Sequence, residues 1–233
     1  MHIDNLTLLG TSHIAAQSVQ QVKKAIEEDK PDIVALELDK RRFAALLSGS
    51  KGKYTWKDMK RIGFKGFLFA MLGEWAERKL GEQVGVKPGS EMVAAATLAK
   101  QKNIEIALID QDIEITLRRF SAAITWKEKL RFVWDLLTSF FRRKVPFDLK
   151  KVPNEKIIQE LTGKVKQDYP NVYRVLVDER NAYMAEQLST LLSRNPEKKI
   201  LAIIGAGHEK EIVDLIQIRK TPLFSYTFEY DEE

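Results

Sequence analysis

At 233 residues, 44% hydrophobic and 30% charged, the chain is long and apolar enough to bury a core as one or two domains, which excludes a disordered polymer. Without cysteine it has no disulfide framework, no thiolate metal site and no cysteine nucleophile, a composition that fits a reducing compartment. Its net charge of +5 is the small difference between 38 basic and 33 acidic residues, and the runs "KRR" (40–42) and "RRK" (142–144) read as solvated helix ends, so no nucleic-acid partner is expected.

The chain opens as strand, helix, strand: "LTLLG" (6–10), "IAAQSVQQVKKAIEED" (14–29) with Val19, Val22 and Ile26 at helical spacing, and "DIVALEL" (32–38). The strands are continuously apolar rather than alternating, which predicts a parallel sheet covered on both faces. From about 57 to 146 the pattern is helical except for "IEIALID" (104–110), a third buried strand. Ser90, after Pro88 and Gly89, is expected to cap the helix before that strand, and Asp112 the helix after it. The segment 126–144 is amphipathic, with Leu130, Val133, Trp134, Leu137 and Phe141 on one stripe. That stripe is expected to pack on its own domain, with a docking surface for another subunit or a membrane face as alternatives.

Pro170 precedes a long helical pattern, 172–195, that ends at Asn195 and Pro196. "KILAIIGAG" (199–207) is the fourth strong strand, "HEKEIVDLI" (208–216) a helix and "LFSYTFEY" (223–230) a final strand. The expected fold is α/β: a central, largely parallel sheet flanked by helices, one domain over 1–233, with a mostly helical insertion around 50–100 and 112–195 between its two halves. Asp4 and Asn5 interrupt any export signal and "IGFKGFLFAML" is too short to span a bilayer, so the expected location is cytoplasmic or membrane-associated.

One construction occurs twice: an apolar strand, a glycine, then a histidine, as "LLGTSH" ending at His13 and "IIGAGH" ending at His208. Both histidines therefore lie where parallel strands end, the edge at which α/β sheets bind ligands. Imidazole is a common metal ligand and titrates near neutral pH. Glu37 ends the second strand, where burying a carboxylate requires a cation or metal, or a salt bridge to Arg41 or Arg42. Asp110 ends the third strand in the same way. Glu91 falls in a first helical turn, where the dipole already favours negative charge. Arg118 and Arg119, and Arg180 beside Asp178 and Glu179, are basic groups available as surface pairs or, if buried, as partners for a carboxylate or an oxyanion.

Several motifs are excluded. In "GAGHEK" Lys210 replaces the third glycine of a dinucleotide fingerprint, and in "HEKEI" Ile212 replaces the second histidine of a zinc-protease helix. No Gly-rich lysine loop for triphosphates occurs, and "GTSHI" is not a serine nucleophile elbow.

Taken in order and spacing, "GTSH", "PDIVALELDKRR", "PGSEM" with "AAATLAK", "LIDQDIEITLRR", "VDERNAYMA" and "IIGAGH" resemble the TraB/PrgY pheromone-shutdown family, grouped with the Tiki metalloproteases, GumN and erythromycin esterase-like proteins. Gly10 with His13 and Gly205 with His208 match its two G-x-x-H motifs; Glu37 and Glu91 match acidic positions, Arg118 and Arg180 basic ones. Gln111 departs from the arginine common in relatives. The resemblance implies a metal-dependent hydrolase, foremost a peptidase acting on a peptide or signalling protein. His13, Glu37 and His208 would hold a divalent ion (zinc, manganese or cobalt), Glu91 would act as general base or fourth ligand, and Arg118 or Arg180 would steady a substrate carboxylate or oxyanion. The alternative is a non-catalytic module that sequesters a peptide. A homo-oligomer, and membrane association through a region beyond this chain, are further possible partnerships.

Overall fold

The computed structural model describes residues 1–11, 16–48, 59–64, 66–67, 70–71, 89–139 and 155–220. Among these residues the sheet has five strands in the order β1-β2-β5-β3-β4. β1 (His2–Ile3) is antiparallel to β2 (Leu6–Thr11); β3 (Ile33–Leu36), β4 (Glu105–Leu108) and β5 (Ile200–Gly205) run parallel to β2. β1 is too short to leave a periodic signal in the sequence. The expected strand at 223–230 lies outside the described residues.

Among the described residues, the helices that frame the sheet and the site are α1 (Ala16–Asp29), α2 (Lys40–Ser48), α3 (Ser90–Gln101), α4 (Ile113–Ala123), α5 (Trp126–Ser139), α6 (Glu155–Asp168), α7 (Pro170–Tyr173), α8 (Glu179–Arg194) and α9 (Glu209–Lys220). A π-helical turn, Arg174–Asp178, joins α7 to α8. No helix among the described residues is long and apolar enough to cross a membrane.

Every residue of β5 is buried, as its unbroken apolar run predicts. Ile200, Ala202 and Ile204 pack with Met184, Ala185 and Leu188 of α8 and Ile212 and Ile216 of α9; Leu201 and Ile203 pack with Val22 and Ile26 of α1 and Met92, Ala95 and Ala99 of α3. The result is a three-layer α/β/α fold. Within the span expected as a helical insertion, α3 and α8 thus cover the two faces of the sheet.

Local chemistry sets the helix starts. Asp112 caps α4, its carboxylate accepting from Glu114 N at 2.8 Å. Ser90 is not a cap: Gly89 holds the N-cap position at φ 78°, a left-handed conformation that favours glycine, and Ser90 is the first helical residue. Asp39 caps α2, accepting from the N–H groups of Arg41 (2.8 Å) and Arg42 (3.0 Å).

α5 turns the other way from the sequence expectation. Leu130 and Trp134 of the apolar stripe are 68% and 66% exposed; Val133, Leu137 and Phe141 have no described side chain. The inward side is fixed by Glu128, 4% exposed, whose carboxylate accepts from Thr125 N (2.9 Å) and Oγ1 (2.8 Å) at the start of α5 and from Asn171 N (2.8 Å) and Val172 N (3.4 Å) in the first turn of α7. One carboxylate thus satisfies orphan donors of two helices. Burial pushes its pKa up, but the hydrogen bonds from Thr125 and Asn171 outweigh burial and hold it below the ordinary range.

Glu128→Ala should therefore lower the unfolding free energy by about 1–3 kcal/mol. Because the folded carboxyl titrates below its unfolded value of about 4.3, this contribution is complete above that pH and is lost as pH falls through the folded value. Urea titrations of wild type and variant should diverge at neutral pH and converge in acid; a difference independent of pH would contradict the assignment.

Candidate functional site

Because β2, β5, β3 and β4 are parallel, their carboxyl ends meet on one edge, with Thr11 opposite Gly205 and Leu36 opposite both Ile203 and Leu108. Helices α2, α4 and α9 start at that edge from the strands before them. α3 and α8 run back toward the starts of β4 and β5, so their N-termini lie there too. Positive helix ends converge, and the sequence meets them with carboxylates: Glu37 and Asp39 after β3, Asp110 after β4, Glu91 in the first turn of α3.

All four carboxylates are buried, with Glu37 3% exposed and Glu91 1%. Arg180, in the first turn of α8, joins two of them. Its Nε donates to Asp110 Oδ1 at 3.1 Å, and its Nη2 to Asp110 Oδ2 at 2.7 Å and Glu37 Oε1 at 2.5 Å; Nη1 donates to the Leu176 carbonyl of the π turn at 3.2 Å. Arg42 reaches Asp110 and Asp39 (2.8 Å) with its guanidinium and the Glu37 carbonyl at 3.3 Å. The salt bridge to Glu37 thus comes from Arg180, while Arg42 binds only the Glu37 main chain and Arg41 pairs with Glu114. Burial favours a neutral guanidine at Arg180, but the charges of Asp110 and Glu37 outweigh it and raise its pKa above the usual arginine value. The second oxygen of Glu37 accepts the Gly205 N–H at 2.5 Å, tying β3 to the end of β5.

His208 stands at the start of α9 with its Nε2 3.5 Å from Glu37 Oε1. Its Nδ1 lies 2.5 Å from Oδ1 of the fully buried Asn181. Asn181 Nδ2 donates to Glu211 Oε2 at 2.8 Å, which fixes the amide, since a reversed amide would turn its oxygen onto that carboxylate. Asn181 Oδ1 consequently accepts the Nδ1 proton of His208 and leaves Nε2 directed at Glu37. A contact of ring nitrogen with carboxylate is attractive there only if Nε2 carries a proton or the two share a cation. Among Glu37, Asp39, Asp110, Arg42 and Arg180, three negative charges face two positive, so one further positive charge balances the group.

The pair also suits a metal. Donors about 2.0–2.2 Å from one tetrahedral ion stand roughly 3.3–3.6 Å apart, which accommodates the separation of His208 Nε2 and Glu37 Oε1. Asn181 would be the outer partner that orients such a histidine. Among the described residues no group of three His, Asp or Glu side chains is placed to hold an ion. His13, the third expected ligand, lies outside the described residues.

The other expected residues are placed as follows. Gly10 lies near the end of β2, and a Cβ on it would meet the carboxylate of Glu209 and stand 3.2 Å from Ala206 Cα, so this glycine permits the close approach of β2 to the turn after β5. Glu91 is buried at the N-terminus of α3, on the site edge. Arg118 is exposed on α4 in a surface groove with Ile115, Arg119, Arg174 and Val175; no hydrogen bond or ion pair among the described residues joins it to the cluster. Arg119 binds Glu179 with Nη2 donating at 2.8 Å, a surface pair.

A family model of the TraB/PrgY/gumN family matches residues 2–220. The chain belongs to the TraB/PrgY/gumN family. It is 38% identical over 216 residues to the uncharacterized protein MJ1365 of Methanocaldococcus jannaschii, covering 90% of this chain and 52% of that protein. It is 24% identical over 226 residues to the TraB domain-containing proteins of human and mouse, covering 86% of this chain and 60% of each. The chain therefore spans between half and two thirds of the length of the curated relatives it matches.

In this TraB-family chain four of the six segments that carry the resemblance meet at one place: "ELDKRR" supplies Glu37, Asp39 and Arg42, "LIDQD" supplies Asp110, "ERN" supplies Arg180 and Asn181, and "IIGAGH" supplies Gly205 and His208. Asn181, Asp39 and Glu211 were not singled out from the sequence. Asp39 carried a signal, an aspartate just before a helix. Asn181 carried none of its own, because a buried asparagine in a helical pattern looks like any exposed one.

Proposed function

We propose that this chain is a metal-dependent hydrolase, with a peptide or protein as substrate, whose ion is held by His208, Glu37 and His13. The observation that carries this reading is the pairing of His208 Nε2 with Glu37 Oε1 at 3.5 Å while Nδ1 is committed to Asn181. In sequence His13 follows by two residues Thr11, the last residue of the strand paired with β5. A divalent ion, when bound, supplies an acidified water and polarises a scissile carbonyl.

The protein's own groups do the rest. Arg180 pairs with Glu37 and fixes its direction, and with its guanidinium spent on Asp110 and Glu37 it acts on the site through them. Asn181 sets which nitrogen of His208 faces inward. Glu91, buried at the site edge, is the candidate general base, and Arg118, exposed on α4, is the candidate contact for a substrate carboxylate.

A non-catalytic peptide-binding module is the second reading. It is favoured by the extent to which Glu37, Asp110 and Arg180 satisfy one another, with protein donors on both Glu37 oxygens. Incubating the chain with a peptide library, with zinc, manganese, cobalt or a chelator, and weighing the products separates the two. Metal-dependent fragments that vanish in His208→Ala support the hydrolase; peptides retained and recovered intact in every condition support sequestration.

A further inference from the structure

α5 wears its amphipathicity outward. Trp126, Leu130 and Trp134, four residues apart and thus on one stripe, are 75%, 68% and 66% exposed. The acidic residues of the helix are turned inward: Glu128 binds α7, and Asp135 accepts from Tyr169 Oη at 2.6 Å. Its cations flank the stripe. Lys127 is exposed, Lys129 Nζ lies 4.0 Å above the Trp126 ring, and Arg131 is half-exposed where it pairs with Asp168. The outer face of α5 is consequently apolar and cationic, and in sequence the chain continues from it as "FFRRK".

We propose that this face docks on an anionic lipid surface, with α5 lying in the plane of the interface. Indole rings sit well at the boundary of water and hydrocarbon, and lysines beside them reach back to anionic headgroups. Charge complementarity selects lipid over a second copy of the chain. A two-fold pairing of α5 would set the cationic flank of one copy, with Lys127 and Lys129, against the same flank of the other, whereas an anionic headgroup layer complements it. The docking is peripheral, with α5 lying in the interface rather than crossing the bilayer.

The test is co-sedimentation of the 233-residue chain with vesicles of phosphatidylcholine alone and of two parts phosphatidylcholine to one part phosphatidylserine. Binding to the mixed vesicles should be at least about tenfold tighter than to the neutral ones and should weaken with salt. Trp126→Ser with Leu130→Ser, solvent-facing changes that keep the circular dichroism, should weaken it at least about tenfold, as should Lys127→Glu with Lys129→Glu. Equal binding to both vesicle types, wild-type binding by a correctly folded variant, or no vesicle binding beside a dimer that the serine variant dissociates would overturn the proposal. Because the readout is lipid binding, its failure leaves the hydrolase reading untouched.

Discussion

Arg180→Ala is expected to lower the unfolding free energy by about 3–5 kcal/mol, the cost of leaving buried carboxylates without their partner. The guanidinium makes three hydrogen bonds to Glu37 and Asp110, which are 3% and 5% exposed. Without it, Asp110 keeps Arg42 and the Gln111 N–H as donors, and Glu37 loses its guanidinium while retaining the Gly205 N–H and His208. Against a total stability of about 5–15 kcal/mol, the loss is a large fraction of what holds the domain together. Arg180→Lys restores the charge but not the planar fork that spans both carboxylates, so it should recover only part of the loss. Urea unfolding of the three proteins decides the matter. A loss in Arg180→Ala below about 1 kcal/mol, the size of an exposed pair, would show that the cluster is solvated.

The second large effect concerns function. Asn181→Ala removes the acceptor that holds the Nδ1 proton of His208, and outer partners of metal-bound histidines typically contribute about 10–100-fold in metal affinity. Zinc affinity should fall by that factor while the circular dichroism stays native, since Glu211 is not fully buried and can take up water. Ring nitrogen shifts from long-range proton–nitrogen NMR give a readout independent of any activity. Wild type should show His208 protonated at Nδ1, and Asn181→Ala should lose that signature. An unchanged tautomer and affinity would mean that Asn181 serves only to anchor Glu211.

Much of the architecture is legible in the sequence because the two central strands obey one rule, whereas β4, expected as a third buried strand, is an edge strand with Glu105 exposed and Ile106, Ala107 and Leu108 half-buried. β3 and β5 carry no polar side chain at any position, and both are buried on both faces. The cap at Asp112 was equally readable, since a side chain that captures the next free N–H is a local event. Strand order is not local. That β5 inserts between β2 and β3, bringing Gly205 to Glu37 and Thr11, depends on how all the helices close over the sheet. Local sequence leaves Arg180, beside Asp178 and Glu179, open between a surface pair and a buried partner for a carboxylate; the π turn before it widens the helix and shifts the face that follows. Glu179 then meets Arg119 at the surface while Arg180 enters the cluster. α5 misled for another reason. Periodicity locates its apolar stripe, but the direction that stripe faces was decided by the buried hydrogen bonds of Glu128.

The most direct measurement is the metal content of the purified chain after exposure to zinc, manganese and cobalt, beside His208→Ala and His13→Ala, by plasma mass spectrometry. Close to one ion per chain in wild type, and loss of that ion in both variants, is the predicted result. Metal that is absent under every condition, or that persists when either histidine is removed, would contradict a shared site at the heads of β2 and β5.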